Sequence, residues 1–343
     1  MPGLVGGFGN FKYSILFSEI TINKVFNCNF NSNSNSNSNS NSNLSSYLAG
    51  LIEGDGTFAV HNFNSKTKKY TPKIIIIFKK SDLSLAQFLR DITDSGKIYI
   101  KQDRGYVLWQ IQDIVGIFTI VNFINGYMRT PKIEALQRTI NWINEYIVQN
   151  QNSKLPSTLL IISKIYPIES SSLDQSEINS NAWFAGFSDA DSNFSINIHK
   201  RSNKNSTRIQ LYYRLEISQN YHKDDSDGKK ISFFFIMSKM AKFLGVNILS
   251  RTRIKGDKQF FSYTIMAHNK KSQQIIIEYF KKYPLISSKY LDYKDWFYIL
   301  ELQKSNPITT SYLKESLRIR TNFNKTRTNY NWDHLKNCYL TKI

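Results

Sequence analysis

The chain has 343 residues, 41% of them hydrophobic, which is enough for two ordinary domains with real cores and excludes a wholly disordered polymer. Lys plus Arg number 45 against 26 Asp plus Glu, a formal net charge of +19; the excess does nothing for folding and attracts polyanions, so nucleic acid is the expected partner. No apolar run is long enough to span a membrane; Cys28 and Cys338 form no zinc spacing, and the sequence has neither an HExxH motif nor a phosphate loop.

In chain order, MPGLVGGFGN (Met1–Asn10) resembles a fragment of cytochrome oxidase subunit 1 and has nothing of a signal or transit peptide. The alternating polar tract Asn29–Asn43 has nothing to bury and is expected to be disordered. The remainder reads as a repeat. YLAGLIEGDGTFAV (Tyr47–Val60) opens one half and WFAGFSDADSNFSI (Trp183–Ile196) the other. Apolar spacing predicts helices over Leu83–Ile92, Ile114–Ile124 and Pro131–Tyr146 in the first half. Their counterparts in the second are Phe233–Leu244, Ser272–Tyr283 and Ser288–Leu302. The second half is the longer, with its extra residues expected in the polar hairpin around Tyr221–Lys230. The organisation expected is an N-terminal extension over 1–43, a first domain over 44–148, a linker over 149–181 rich in Ser, Asn and Gln, a second domain over 182–304, and a basic tail over 305–343.

Strand alternation is plain in the second half. Ile209, Leu211, Tyr213, Leu215 and Ile217 fall on one face, and Arg208, Gln210, Tyr212, Arg214 and Glu216 on the other. Asn193, Ser195, Asn197, His199 and Arg201 repeat the polar series opposite Phe194, Ile196 and Ile198. A sheet with one wet face carrying guanidinium, amide and hydroxyl groups suits phosphates and base edges, so Asn193, Ser195, Asn197, His199, Arg201, Arg208, Gln210, Tyr212 and Arg214 are the candidate DNA-binding residues.

The repeated motif reads as a chemical device. Gly50 and Gly54 share one helix face, as do Gly186 and Ala190, and small residues at that spacing let two backbones pack closely. Side-by-side packing would bring Asp55 to Asp191 at two helix C-termini, an arrangement of like charges that a divalent cation resolves. Such a cation activates water and stabilises the charge of phosphodiester cleavage.

LAGLIEGDG (Leu48–Gly56) resembles the signature of the LAGLIDADG endonucleases, and FAGFSDADS (Phe184–Ser192) its degenerate second copy. The resemblance extends over most of residues 44–304, including GKIYI (Gly96–Ile100), RTPKIEAL (Arg129–Leu136) and YPLISSKYLDYKDW (Tyr283–Trp296), with the NWDHL tail (Asn331–Leu335) beyond. It implies an α+β fold of two pseudo-symmetric αββαββα domains with saddle-shaped antiparallel sheets and the motif helices packed at the domain interface. It further implies a homing endonuclease that leaves a staggered double-strand break in an intronless target gene, using Mg²⁺ or another divalent cation held by Asp55 and Asp191. Lys132 and Lys289 match the lysine that supports the reaction centre in many members, and the catalytic set implied is Asp55, Asp191, Lys132 and Lys289. Glu53 and Asp189 are expected to cap or support the site. Ser192 departs from the usual glycine after the acid, where a left-handed residue is expected and a side chain would cost about 1 kcal/mol.

The oxidase-like decamer fits an intron-encoded, mitochondrial protein, and two halves in one chain imply a monomer on double-stranded DNA. A maturase that binds its host intron RNA is the rival reading, because phosphates dominate both affinities and the basic stretch Lys314–Arg327 would serve either. A non-catalytic repressor would have lost an acid, and neither acid is lost.

Overall fold

The computed structural model describes residues 37–61, 71–200, 207–224, 227–305 and 310–341. The first half runs α1 (Asn37–Asp55), β1 (Gly56–Ala59), β2 (Lys73–Lys79), α2 (Leu83–Thr93), β3 (Lys97–Lys101), β4 (Tyr106–Ile111), α3 (Ile114–Ile124) and α4 (Ile133–Asn150). A short helix α5 (Pro156–Ile162) precedes the second half. That half runs α6 (Trp183–Asp191), β5 (Ser192–Lys200), β6 (Thr207–Ser218), β7 (Asn220–Asp224), β8 (Lys230–Ser232), α7 (Phe234–Leu244), β9 (Ile248–Lys255), β10 (Lys258–Ala267), α8 (Lys270–Lys282) and α9 (Lys289–Ser305); α10 (Thr310–Thr321) follows. The α+β class and the motif–two-strand–helix–two-strand–helix order agree with the sequence reading, with one further helix, α4 or α9, closing each half.

Each half holds an open antiparallel sheet of the same strand order, β1-β2-β4-β3 and β5-β6-β10-β9. Helices cover one face of each because the apolar sets coincide. Ile74, Ile76, Val107, Trp109 and Ile111 are buried beneath the first sheet, and Phe194, Leu211, Tyr213, Leu215 and Ile265 beneath the second. The hairpin β7–β8 stands where the first half makes only a single turn, Lys80–Asp82, so the extra length falls where the polar stretch Tyr221–Lys230 lies. It crosses to the first half, where Lys223 Nζ reaches Glu134 of α4 at 3.1 Å.

Two segments differ from expectation. The tract Asn29–Asn43 was expected to be disordered; residues 29–36 lie outside the described residues, but α1 already begins at Asn37. Leu44, Ser45, Ser46 and Tyr47 are all buried, and Ser46 Oγ accepts from Ala182 N of the second half at 3.1 Å, so contacts across the molecule carry a helix that local composition would not.

The segment 151–181 is a strap fastened along the first half and, near its end, to Tyr279 and Tyr283 of the second. Asn144 bonds both backbone groups of Ile168 at 2.9 Å, and Asn125 likewise holds Glu169 and Ser171. Arg129, almost fully buried, pairs with Asp174 at 2.7 Å and lies over the Trp183 ring at 5.4 Å. Most of these bonds join side chains of the first half to the strap's backbone, with Asp174 supplying the strap's own charged partner.

Candidate active site and nucleic-acid face

The centre of the molecule is the α1–α6 contact. A Cβ at Gly50 would stand 2.0 Å from the Trp183 carbonyl oxygen, and one at Gly186 would stand 2.0 Å from that of Tyr47. A Cβ at Gly54 would meet the Ala190 Cβ at 2.2 Å and Asp191 Oδ2 at 3.2 Å. Gly50, Gly54, Gly186 and Ala190 thus lie in the helix contact, and the two helices can touch only because those substituents are absent or small. The approach delivers Asp55 and Asp191, the last residues of α1 and α6, to the same place.

The acids two residues earlier hold the ends of both helices. Glu53 accepts from Arg129 N at 2.9 Å, Thr130 N at 2.6 Å and, across the interface, Trp183 Nε1 at 2.5 Å. Asp189 accepts from Ile286 N at 2.9 Å, from Ser287, and from Tyr47 OH at 2.7 Å. Each motif's opening aromatic therefore donates to the other motif's buried acid. Burial pushes both carboxyl groups up, and these donors oppose the shift. With their oxygens so committed, Glu53 and Asp189 support the helices and are not available to a metal.

Asp55 and Asp191 are different. Neither carboxylate accepts a hydrogen bond from the described residues, and both are only partly buried. Burial raises Asp55, against the charges of Lys289, Lys132 and Lys79. Burial and then the charge of Asp55 push Asp191 up to about 6, again against Lys289 and Lys132. Two unpartnered, mutually repelling carboxylates are a donor set that could hold a hard divalent cation. Among the described residues no group of three or more His, Cys, Asp or Glu is placed to hold one, so waters and phosphate oxygens would complete the shell, as Mg²⁺ prefers.

Lys132 and Lys289 occupy equivalent places at the starts of α4 and α9. Lys132 Nζ donates to the carbonyls of Ile52 at 3.0 Å and Gly56 at 2.8 Å; Lys289 Nζ donates to those of Ser188 at 3.1 Å and Ala190 at 2.7 Å. Carbonyls at and just beyond the ends of the motif helices are thereby met by ammonium groups beside the acids; that of Ser188 also accepts from Ser192 N. Burial pushes both lysines down, while the neighbouring carboxylates oppose it.

Ser192 does not carry the expected strain. Its φ of −91° and ψ of 169° are extended, and its Oγ donates to Ser188 O at 2.7 Å. Gly56 is required for a different reason, space: a Cβ there would come within 2.6 Å of Ile52 O.

Along the second sheet the polar series faces away from the core. Asn193, His199 and Arg208 are exposed, while Ser195, Asn197, Gln210, Tyr212 and Arg214 are half-buried. Cross-strand register pairs Asn193 with Arg214, Ser195 with Tyr212, Asn197 with Gln210 and His199 with Arg208, so these eight share one face. Arg201 lies outside the described residues. The Nε of Arg214 is buried with no hydrogen-bond partner among the described residues.

Sequence reasoning missed several participants. The matching face of the first sheet carries Lys73, Ile75, Ile77 and Lys79 on β2 with Leu108 and Gln110 on β4, and no alternation in KIIIIFK marks it. Buried Asp82 accepts from Ser288 N at 2.7 Å, tying the first half to the residue before Lys289. Glu216 on the second face gathers Arg251 and Arg253. The aromatic that precedes each supporting acid by six residues was visible in both motif copies, a usable signal for Tyr47 and Trp183. In the tail, Arg327 is not available to nucleic acid, because it is buried in ion pairs with Asp292 at 2.8 Å and Asp295 at 2.5 Å.

Two glycine-notched helices that each bring one acid to a shared point, with an open sheet on either side, define a LAGLIDADG endonuclease. The LAGLIDADG endonuclease family model matches residues 48–143 and 184–300, and the chain belongs to this family. Intron-encoded DNA endonuclease aI3 of Saccharomyces cerevisiae is 40% identical over 99% of this chain and 82% of its own length. An uncharacterized 37.2 kDa protein of cox1 intron 2 from Schizosaccharomyces pombe is 28% identical over 78% of this chain and 69% of its own. The fold is shared with the LAGLIDADG homing endonuclease I-GzeII, solved in complex with its DNA target, with a TM-score of 0.58, 18% identity, and coverage of 83% of this chain and 99% of that one. Among the described residues no helix is long and apolar enough to cross a membrane.

Proposed function

We propose that the chain is a homing endonuclease that makes a metal-dependent, staggered double-strand break in an intronless copy of the gene whose exon its first ten residues resemble, and so promotes intron transfer. The observation that carries this reading is the pair Asp55 and Asp191. Their carboxylates are close enough for one charge to raise the other, accept no hydrogen bond from the described residues, and have a lysine ammonium group fixed beside each helix end.

Asp55 and Asp191 would hold the cation, and a bound Mg²⁺ supplies water activation and charge stabilisation at the scissile phosphate. The remaining work falls to the chain's own groups. Lys132 and Lys289 present fixed positive charge where charge develops on phosphate oxygens, without reorganisation at the moment of reaction. Glu53 and Asp189 keep both helix ends in register. The wet faces of the two sheets lie along the duplex: Asn193, Ser195, Asn197, Gln210, Tyr212 and Arg214 meet base edges, while Arg208, His199 and the lysines of the first sheet position the backbone.

Both halves of the site come from one chain, which supports a monomer. The oxidase-like decamer together with intron-encoded relatives supports a mitochondrial protein.

The test is incubation of the full chain with Mg²⁺ and three nucleic acids: a duplex spanning the intronless oxidase-subunit junction, a scrambled duplex, and the host intron RNA. A staggered cut confined to the junction duplex is expected. Tight binding of the intron RNA with no cut in either duplex would move the function to a maturase.

A further inference from the structure

Glu216 is an anion on a face that the proposed function sets against phosphates. Its carboxylate is mostly buried, 16% exposed, and accepts from Ser262 Oγ at 2.9 Å beneath it. Above it, Arg251 pairs with the same carboxylate at 3.3 Å, and Arg253 pairs with its other oxygen. The two arginines stand about half exposed, at 48% and 53%. Register places all four groups on one face. Glu216 lies opposite Thr264, Ser262 pairs with both Ser218 and Arg251, and Phe260 pairs with Arg253. Beside them a groove is lined by Ser218, Asn220, Arg253, Gln259, Phe260 and Ser262.

Neither folding nor non-specific affinity calls for this arrangement. Half-exposed ion pairs contribute little to stability. A carboxylate on the face also subtracts from phosphate attraction, which would be stronger without it. What it does provide is direction. A free arginine sweeps through many rotamers and settles on the nearest phosphate; one fixed by a carboxylate aims its remaining N–H groups at one place. Those remaining groups are the fork that matches guanine O6 and N7 in the major groove.

Resting on the reading that this face is the DNA interface, we propose that Glu216 is a positioning residue for specificity: it holds Arg251 and Arg253 as a preset guanidinium pair that reads guanine in the half-site under the second sheet. The carboxylate does not itself touch the cleaved phosphate. It acts through the two arginines, by denying them the backbone contacts they would otherwise make.

The experiment is selection of bound duplexes from a randomised pool by the full chain, wild type, Glu216→Ala and Glu216→Gln, with sequencing before and after. Wild type is expected to show one or two positions with a guanine preference of about 10-fold or more, the discrimination of a good bidentate contact. Glu216→Ala should bring those positions below about 3-fold, leave the others unchanged, and bind a scrambled duplex more tightly with a steeper salt dependence. Glu216→Gln, which keeps an acceptor but loses the charge, should fall between. An unchanged preference profile in Glu216→Ala would overturn the proposal, as would a uniform loss at every position with a lowered melting temperature, the mark of a scaffold. Arg214→Ala separates the two readings. If it alters the profile while Glu216→Ala does not, only the role of Glu216 fails; if neither alters anything, the DNA interface fails with it.

Discussion

Opposite Gly56 of the first half sits Ile76, and opposite Ser192 of the second sits Leu215. The shared register then sets Ile75 against Arg214, Ile77 against Glu216 and Lys79 against Ser218, while Leu108 answers Thr264. Around these positions the first face is aliphatic at Ile75, Ile77 and Leu108, with Gln110 and lysines about them. The second carries guanidinium, amide, hydroxyl and carboxylate groups there, its exposed apolar residues Leu249 and Phe260 lying further along β9 and β10. The helix pair between them shows no such divergence. Gly50 answers Gly186, Glu53 answers Asp189, Asp55 answers Asp191, and the carbonyl-bound Lys132 answers Lys289. The difference follows from what each region touches. At the centre the two helices pack directly on each other, Gly50 against Trp183 and Gly186 against Tyr47, so a change in either must suit both. On the proposed reading each face meets only its own stretch of duplex, and the two stretches need not be alike.

The largest effect is expected at the glycines. Gly50→Ala and Gly186→Ala each place a methyl 2.0 Å from a backbone oxygen of the other helix. Each should cost about 3 kcal/mol or more, measured by thermal or denaturant unfolding, and the two costs should be similar. A tolerated alanine at either position would show that the helices do not meet as described.

A smaller effect separates the acids from the rest of the centre. Asp191, pushed up to about 6 from an ordinary 3.8, binds its proton more tightly folded than unfolded. Its contribution to stability is therefore present at low pH and lost as pH rises through about 6. Without metal, Asp191→Asn should be more stable than the wild type by about 1–2 kcal/mol above that pH, with the gain vanishing at about pH 4. Unfolding with a chelator present, at several pH values, checks both the sign and the window.

The smallest effect sharpens the contrast between faces. Ile75, Ile77 and Leu108 suit thymine methyl groups, which offer apolar contact and no hydrogen bond. Replacing thymine by deoxyuridine in the half-site under the first sheet should weaken binding by about 0.8 kcal/mol per contacted methyl. The same replacement opposite Arg214, Glu216 and Thr264 of the second sheet should change binding little. Equal losses on both sides would erase the distinction.

The two motif copies, the helices after them and the wet face of β6 were legible because each is a local pattern: period two in Ile209–Ile217, helical spacing in Leu83–Ile92. The wet face of the first sheet was not, since Ile74 to Ile77 are apolar on both sides and leave no contrast to read. The partners of Glu53 and Asp189 were hidden for another reason. They come from backbone groups near residues 129 and 286 and from an aromatic on the opposite helix, a proximity that exists only after the halves meet. Arg327 misled because a basic residue in a polar tail looks free until Asp292 and Asp295 are placed beside it. The left-handed exit expected at Ser192 assumed that a glycine after the acid marks φ, when in Gly56 it marks a lack of room.

In the proposed function Asp55 and Asp191, one from each half, form a single cutting centre. Its most direct test is cleavage of a target duplex with Mg²⁺ by the wild type, Asp55→Asn and Asp191→Asn, with both strands end-labelled and binding measured in parallel. Either substitution should lower cutting of both strands by about 10³-fold or more, the scale of losing a group that acts only in the transition state, while the duplex is still bound. Full cutting of both strands by either variant would contradict it.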